Sequence, residues 1–167
     1  MKKSFIKETL KLIVESALIV VILINFVLIP CVVDGSSMVP NLREGQFGYS
    51  FIITKHLGIS RFDIVVIKPD ANSNKLIVKR VIGLPGEKIS YRDNKLYING
   101  EYVEENFLGD VTTDSFEETL SDNEYFCLGD NRNVSRDSRY YGPFTKNEIV
   151  SSHLLVIYPF DAIGFRK

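Results

Sequence analysis

The sequence contains no tryptophan and, in 167 residues, only two histidines, two cysteines and two methionines. Each scarcity removes a class of explanation. Two cysteines, Cys31 and Cys127, cannot build a multi-bridge scaffold; they read as one disulfide or, preferably, as two small buried thiols. No cluster of Cys and His has metal-ligand spacing, so neither a resident metal nor a cofactor is expected. A net charge of −1 gives no basic surface for nucleic acid. His56 stands beside Lys55 and His153 inside an apolar, strand-like run, so neither occupies the polar setting that a Ser–His–Asp triad requires. There is no internal repeat and no low-complexity tract.

What the chain does have is one long apolar run near its start. Residues 12–29 read LIVESALIVVILINFVLI, broken only by Glu15, Ser16 and Asn25. As a helix this run rises about 27 Å, close to the ~30 Å of a bilayer's hydrocarbon core. Lys2, Lys3, Lys7 and Lys11 precede it and Pro30 follows. That bias holds the basic end in the cytoplasm, and proline stops the helix. The flank Pro-Cys-Val-Val-Asp offers no small-x-small cleavage site, which favours a retained anchor over a removable signal. The expected organisation is a cytoplasmic basic segment at 1–11, a transmembrane anchor at 12–30 and an extracytoplasmic domain at 31–167. The length suits one compact domain plus this appendage.

Beyond residue 33, short stretches rich in Val, Ile, Tyr and Phe alternate with turn signals. They lie at 47–53, 63–67, 75–82, 95–98, 124–128 and 153–158. Asn99-Gly100 between Lys-Leu-Tyr-Ile and Glu-Tyr-Val predicts a hairpin. Helical periodicity is weak, apart from a possible turn near 145–149. Segment 109–122 carries Asp110, Asp114, Glu117, Glu118 and Asp122 with little to bury, and reads as an exposed loop. The expected fold is mostly β, a compact sheet or barrel-like domain after one helix.

Three segments carry chemistry. Gly35-Ser36-Ser37-Met38-Val39-Pro40 is a glycine-opened, proline-closed turn that can present a serine hydroxyl and a backbone N–H together. In 75–87, strand alternation puts Lys79 on one face with Ile77 and Val81, and Arg80 on the other with Val78 and Ile82. A lysine on an apolar face is either a desolvated base or a side chain snorkelling at a sheet edge, and the segment alone leaves both readings open. The loop at 129–142 is dense in Asp, Asn, Arg and Ser, as structural knots and binding loops both are. The stretch at 61–67 reads as a core strand.

In this order, after an N-terminal anchor, these segments resemble the type I signal peptidases of the short, single-span kind found in Gram-positive bacteria. Ser-Met-x-Pro, Lys-Arg-Val-Ile-Gly-Leu-Pro-Gly and Gly-Asp-Asn-Arg-x-x-Ser-x-Asp-Ser-Arg carry the resemblance in combination, and it extends to about residue 160. It implies a membrane-bound serine endopeptidase that removes signal peptides from exported preproteins after small-x-small motifs. Ser37 would be the nucleophile, Lys79 the general base and Ser135 the hydroxyl orienting the Lys79 amine. Asp137 would brace the loop through Arg139. Gly35 stands where some members carry an oxyanion-binding hydroxyl, leaving that task to the Ser37 N–H. Val33, Met38, Ile77 and Val78 would wall the shallow pockets.

The chain departs from the pattern at Asn41, where Thr is usual, and at Phe62, where Gly is common. Val156-Ile157-Tyr158 replaces an Arg-x-Trp before Pro159-Phe160, so membrane-facing aromatic contact falls to Tyr158, Phe160 or Phe165. The expected partners are exported preproteins and the lipid bilayer. Two dyad-related alternatives are a self-cleaving repressor-type protease, which carries no anchor, and a non-catalytic assembly factor for surface proteins. The latter lacks the dyad that is complete here.

Overall fold

The computed structural model describes residues 2–70, 75–109 and 112–166. Among the described residues a helix, α1 (Lys2–Val27), leads into twelve strands, one further helical turn and two short 3-10 helices, Ile52–His56 and Phe160–Ala162. The strands are β1 (Leu28–Val32), β2 (Phe47–Phe51), β3 (Ile64–Ile67), β4 (Ile77–Gly83), β5 (Lys88–Arg92) and β6 (Lys95–Ile98). Then come β7 (Glu101–Val103), β8 (Phe116–Thr119), β9 (Glu124–Leu128), the turn α2 (Ser138–Tyr141), β10 (Phe144–Thr145), β11 (Ile149–Tyr158) and β12 (Gly164–Arg166). The chain is mostly β, in two open antiparallel sheets. One is ordered β1-β2-β11-β3-β4-β9-β10 with β12 on β11, the other β7-β6-β5-β8.

The end of the first helix differs from expectation. The helix ends at Val27, not Pro30, because Leu28–Val32 pairs with Phe47–Phe51 as the first strand of the large sheet. Pro30 is tolerated there because β1 is an edge strand. No helix among the described residues is long and apolar enough to cross a membrane. Lys7, Glu8, Lys11 and Glu15 interrupt the first half of α1, and Lys11 and Glu15 form an exposed ion pair of 3.7 Å.

The cores follow from strand alternation. In β3 the run Ile-Val-Val-Ile is buried throughout: Ile64 and Val66 join one cluster with Val33, Met38 and Leu42, while Val65 and Ile67 join another with Val81, Cys127 and Ile149. A third cluster, with Ile82, Ile89, Tyr91, Leu96 and Leu128, spans β4, β5, β6 and β9 and so unites the two sheets. The expected hairpin at Asn99-Gly100 is present, both residues having positive φ as a type I′ turn demands. Asp93-Asn94 makes a second such turn between β5 and β6, which the sequence reading passed over.

The exposed loop expected at 109–122 is corrected in part. Phe116–Thr119 forms β8 against β5, Phe116 stacks between Tyr91 and Phe126 at 5.4 and 5.2 Å, and Thr113 and Leu120 are buried. Two apolar anchors outweighed the acids: Glu117 is exposed and pairs with Lys88 at 2.7 Å, while Glu118 shares the half-buried face of Phe116. Asp110 lies outside the described residues, while Asp114 and Asp122 are exposed.

Candidate active site

The turn after β1 begins at Gly35, whose φ of +79° is left-handed backbone that glycine adopts without strain. Val33 N–H donates to the Gln46 carbonyl and Leu42 N–H to Met38, folding 33–46 into a closed loop with Met38 and Leu42 as its buried pegs. The Ser37 carbonyl accepts from the Asn131 N–H at 3.0 Å, and the Ser36 carbonyl from Asn131 Nδ2 at 3.2 Å. The serine turn is therefore tied to the polar loop that follows β9.

Lys79 rises from β4 on the face shared with Val65, Val81 and Cys127, and is only 3% exposed. Its Nζ lies 2.8 Å from Ser37 Oγ. Burial lowers its pKa from 10.5 to about 8, against the smaller opposing pull of Asp137 and Asp130; Lys75 adds to the lowering. Desolvation wins because no carboxylate of the described residues reaches the amine as an ion pair. The snorkelling alternative is thereby excluded, since the amine points inward.

Ser135 departs from expectation. Its Oγ is shut from solvent and has no hydrogen-bond partner, so it does not orient Lys79 in this structure. A residue that the sequence reading left unassigned explains the crowding. A Cβ on Gly129 would lie 2.2 Å from Ser135 Oγ and 2.5 Å from the Ser37 carbonyl oxygen. Only glycine lets the two loops approach this closely, and its signal was its place at the head of the polar loop. Asp137 is fully buried and accepts from Arg139 Nε and Nη2, both at 2.9 Å, and from the Gly129 N–H at 3.1 Å. It braces the loop rather than the amine.

Arg80, on the opposite face of β4, was noted only for its direction. It places Nε and Nη2 at 2.8 Å from the two Asp130 oxygens and its guanidinium 4.1 Å from the Phe107 ring centroid. Asn41 donates to the same carboxylate at 2.9 Å and to the Phe107 carbonyl at 2.8 Å. Arg132 is also buried, donating to Glu105, to the Tyr91 hydroxyl and to Thr113. The 129–142 loop is thus pinned by three arginine–carboxylate pairs.

His153 corrects another expectation. It sits at a bulge in β11 with φ +62°, its Nδ1 3.1 Å from Ser152 Oγ and its Nε2 3.5 Å from Asp63 Oδ1. The setting is polar after all, because the bulge turns the ring out of the apolar run. Ser152 is wholly buried and offers no hydroxyl to a substrate. Both cysteines are free and buried, and burial pushes the Cys31 thiol to about 11.

Ser37 and Lys79 open onto a cleft of about 300 Å³ whose lining includes Val33, Met38, Ile77 and Val78. Along β4, β3 pairs with 77–80 on one edge, while β9 pairs on the other only from Arg80 onward. The second edge of 77–79 therefore carries no strand among the described residues, and it faces the cleft. A hydroxyl against a desolvated amine beside an open sheet edge is equipped for nucleophilic attack on an extended peptide.

A family model described as signal peptidase, peptidase S26, matches residues 6–158. The chain is similar to signal peptidase I S of Bacillus subtilis (strain 168), with 38% identity over 96% of this chain and 93% of that protein. It is 34% identical to signal peptidase IB of Staphylococcus aureus (strain MRSA252), over 95% of this chain and 94% of that one. A crystal structure of a signal peptidase I from Enterococcus faecalis V583 matches with a TM-score of 0.52 and 34% identity, covering 57% of this chain and 96% of that one. The chain belongs to the S26 signal peptidase family.

Proposed function

We propose, from that membership and from the 2.8 Å contact between Lys79 Nζ and Ser37 Oγ, that the chain is a serine endopeptidase removing N-terminal signal peptides from exported preproteins. The contact carries the reading at residue level. Neutral Lys79 takes the proton as Ser37 Oγ attacks the scissile carbonyl, returns it to the leaving amine, and then activates the water that releases the acyl group. The Ser37 N–H faces the developing oxyanion, Gly35 having no side chain to help. Ser135, whose Oγ is buried without a partner, would accept a hydrogen bond from the Lys79 amine once Ser37 is acylated. The substrate adds to the open edge of 77–79 as an extended strand, and Val33, Met38, Ile77 and Val78 admit only small side chains before the cut.

The same reading extends to the bilayer. From Phe5 to Ile22, α1 exposes apolar side chains on every side. Leu28 pairs with Phe51, so the helix ends where Phe165 stacks on Phe51 and where Ile53 and Leu57 are exposed. Tyr158 and Phe160 are exposed nearby in sequence. Although its charged first half leaves α1 short of a full apolar span, this apolar collar and the helix enter the membrane together, with the lysine-rich end on the cytoplasmic side and the β domain outside.

Cleavage of an Ala-x-Ala preprotein in detergent tests the assignment. Ser37→Ala should lose cleavage while remaining folded, and Ser36→Ala should keep substantial activity. In intact cells, external protease should reach the β domain and spare the first residues. Turnover by Ser37→Ala, or labelling of the basic end from outside, would reject the corresponding half of the proposal.

A further inference from the structure

The 129–142 loop contains three arginines, and two of them are committed. Arg132 donates to Glu105 at 2.5 Å and Arg139 to Asp137 at 2.9 Å. The third, Arg136, is exposed and lines the cleft that holds Ser37 and Lys79. No carboxylate of the described residues lies within ion-pair reach of it. Its guanidinium is held 5.4 Å from the Tyr140 ring centroid, a platform that limits where the charge can go. Lys75 lines the same cleft, while Asp34 is the one acid among the lining residues.

The path of a bound peptide brings it to this arginine. The open edge of β4 runs from Ile77 to Lys79; from Arg80 onward β9 occupies that edge. A peptide seated along 77–79 must leave the sheet at Lys79, where the loop following β9 stands. The apolar end of the cleft takes the residues before the cut. The residues after it therefore pass Val134, Arg136 and Tyr141, all cleft-lining.

We propose that Arg136 is a specificity-determining residue that selects substrates with a carboxylate side chain just after the scissile bond. The proposal rests on the cleft being the preprotein site. An exposed guanidinium on an aromatic platform favours an acid and repels a lysine brought to the same place. Its contribution is that of an exposed to half-exposed ion pair, so discrimination is modest and weakens with salt.

The test uses two preproteins that differ only in whether the second and third residues after the cut are Glu or Lys. Each is cleaved in non-ionic detergent by wild type, Arg136→Ala and Arg136→Glu. The readout is the Glu-to-Lys ratio of kcat/KM within each enzyme, so a general loss of activity or folding cancels. Wild type should give a ratio of about three- to tenfold, falling at high salt; Arg136→Ala should bring it near one and Arg136→Glu should invert it. A wild-type ratio near one, or an unchanged ratio in Arg136→Ala, would overturn the proposal. Anionic-lipid binding by Arg136 would instead appear as a rate that responds to anionic lipid with an unchanged ratio, which also overturns it. Cleavage of both preproteins by Ser37→Ala would instead sink the parent reading of the cleft.

Discussion

The two faces of β4 bury two cations at adjacent positions and treat them in opposite ways. Arg80 is clasped by both oxygens of Asp130, donates to the Phe62 carbonyl at 2.7 Å and lies on the Phe107 ring. Lys79 meets a serine hydroxyl and the apolar floor around Cys127, with no ion-paired carboxylate among the described residues. On one face the desolvation of the charge is offset by fixed partners, and the result is an anchor for the 129–142 loop. On the other it is not offset, and the cost shows as a pKa near 8. Reactivity here is a burial left uncompensated, and rigidity is the same burial compensated. The residue types are not exchangeable, because a guanidinium stays protonated at any usable pH.

Removing the uncompensated cation should give the largest effect and two opposite outcomes. Lys79→Met should lower preprotein cleavage by about 10³-fold or more, since the general base is gone. Wild-type kcat/KM should rise with pH through one ionisation near 8. The unfolded chain holds the lysine proton up to about 10.5 and the fold releases it near 8. Between those values only the unfolded state is protonated, so stability rises with pH across that window. Below it the fold bears the whole cost of a buried ammonium, ~3 kcal/mol for a displacement of this size. Lys79→Met should therefore melt higher than wild type at pH 6.5, with the gap closing towards pH 10.5. A variant less stable than wild type at pH 6.5 would mean that the amine is not desolvated.

Removing the compensated cation should do the reverse. Arg80→Met leaves the Asp130 carboxylate buried with the Asn41 amide still donating to it, and should destabilise by roughly 3–5 kcal/mol. Adding Asp130→Asn should recover a large part of that loss. Thermal melts of the two variants decide it, and a double variant no better than the single one would show that the pair is not a unit.

This contrast was half legible in the sequence. A period of two in 75–82 set Lys79 and Arg80 on opposite faces, because strand side chains alternate whatever else the fold does. It could not name Asp130, 50 residues away, nor say which cation would be paired. The serine turn was legible from Gly35 and Pro40, local features that act locally. The contacts of Ser135 were not legible, because they depend on how closely Gly129 lets two loops approach. The strand β8 was missed because five acids outweigh Phe116 and Leu120 in composition but not in packing. The bulge at His153 left no sequence signal, since its left-handed backbone is imposed by pairing with β2 and β3.

The smallest effect should come from a position that supports the Arg80 face. Phe62 has φ +72°, left-handed backbone that a bulky side chain adopts at a cost of roughly 1–2 kcal/mol. Two features hold it there. Its N–H donates to the Val81 carbonyl at 2.7 Å, and its own carbonyl accepts from Arg80. Its ring packs edge-on against Phe107 at 5.0 Å, the ring on which the Arg80 guanidinium rests. Phe62→Ala removes the ring and keeps the strain. Phe62→Gly removes both. Elsewhere glycine is the worse of the two by about 0.5–1 kcal/mol, yet here Phe62→Gly should be the more stable by about 1 kcal/mol, with both variants below wild type or near it. Denaturation of the three proteins side by side measures it. If Phe62→Ala proves the more stable, the backbone at 62 is not strained, and the Arg80 face is held by its ring contacts and ion pair alone.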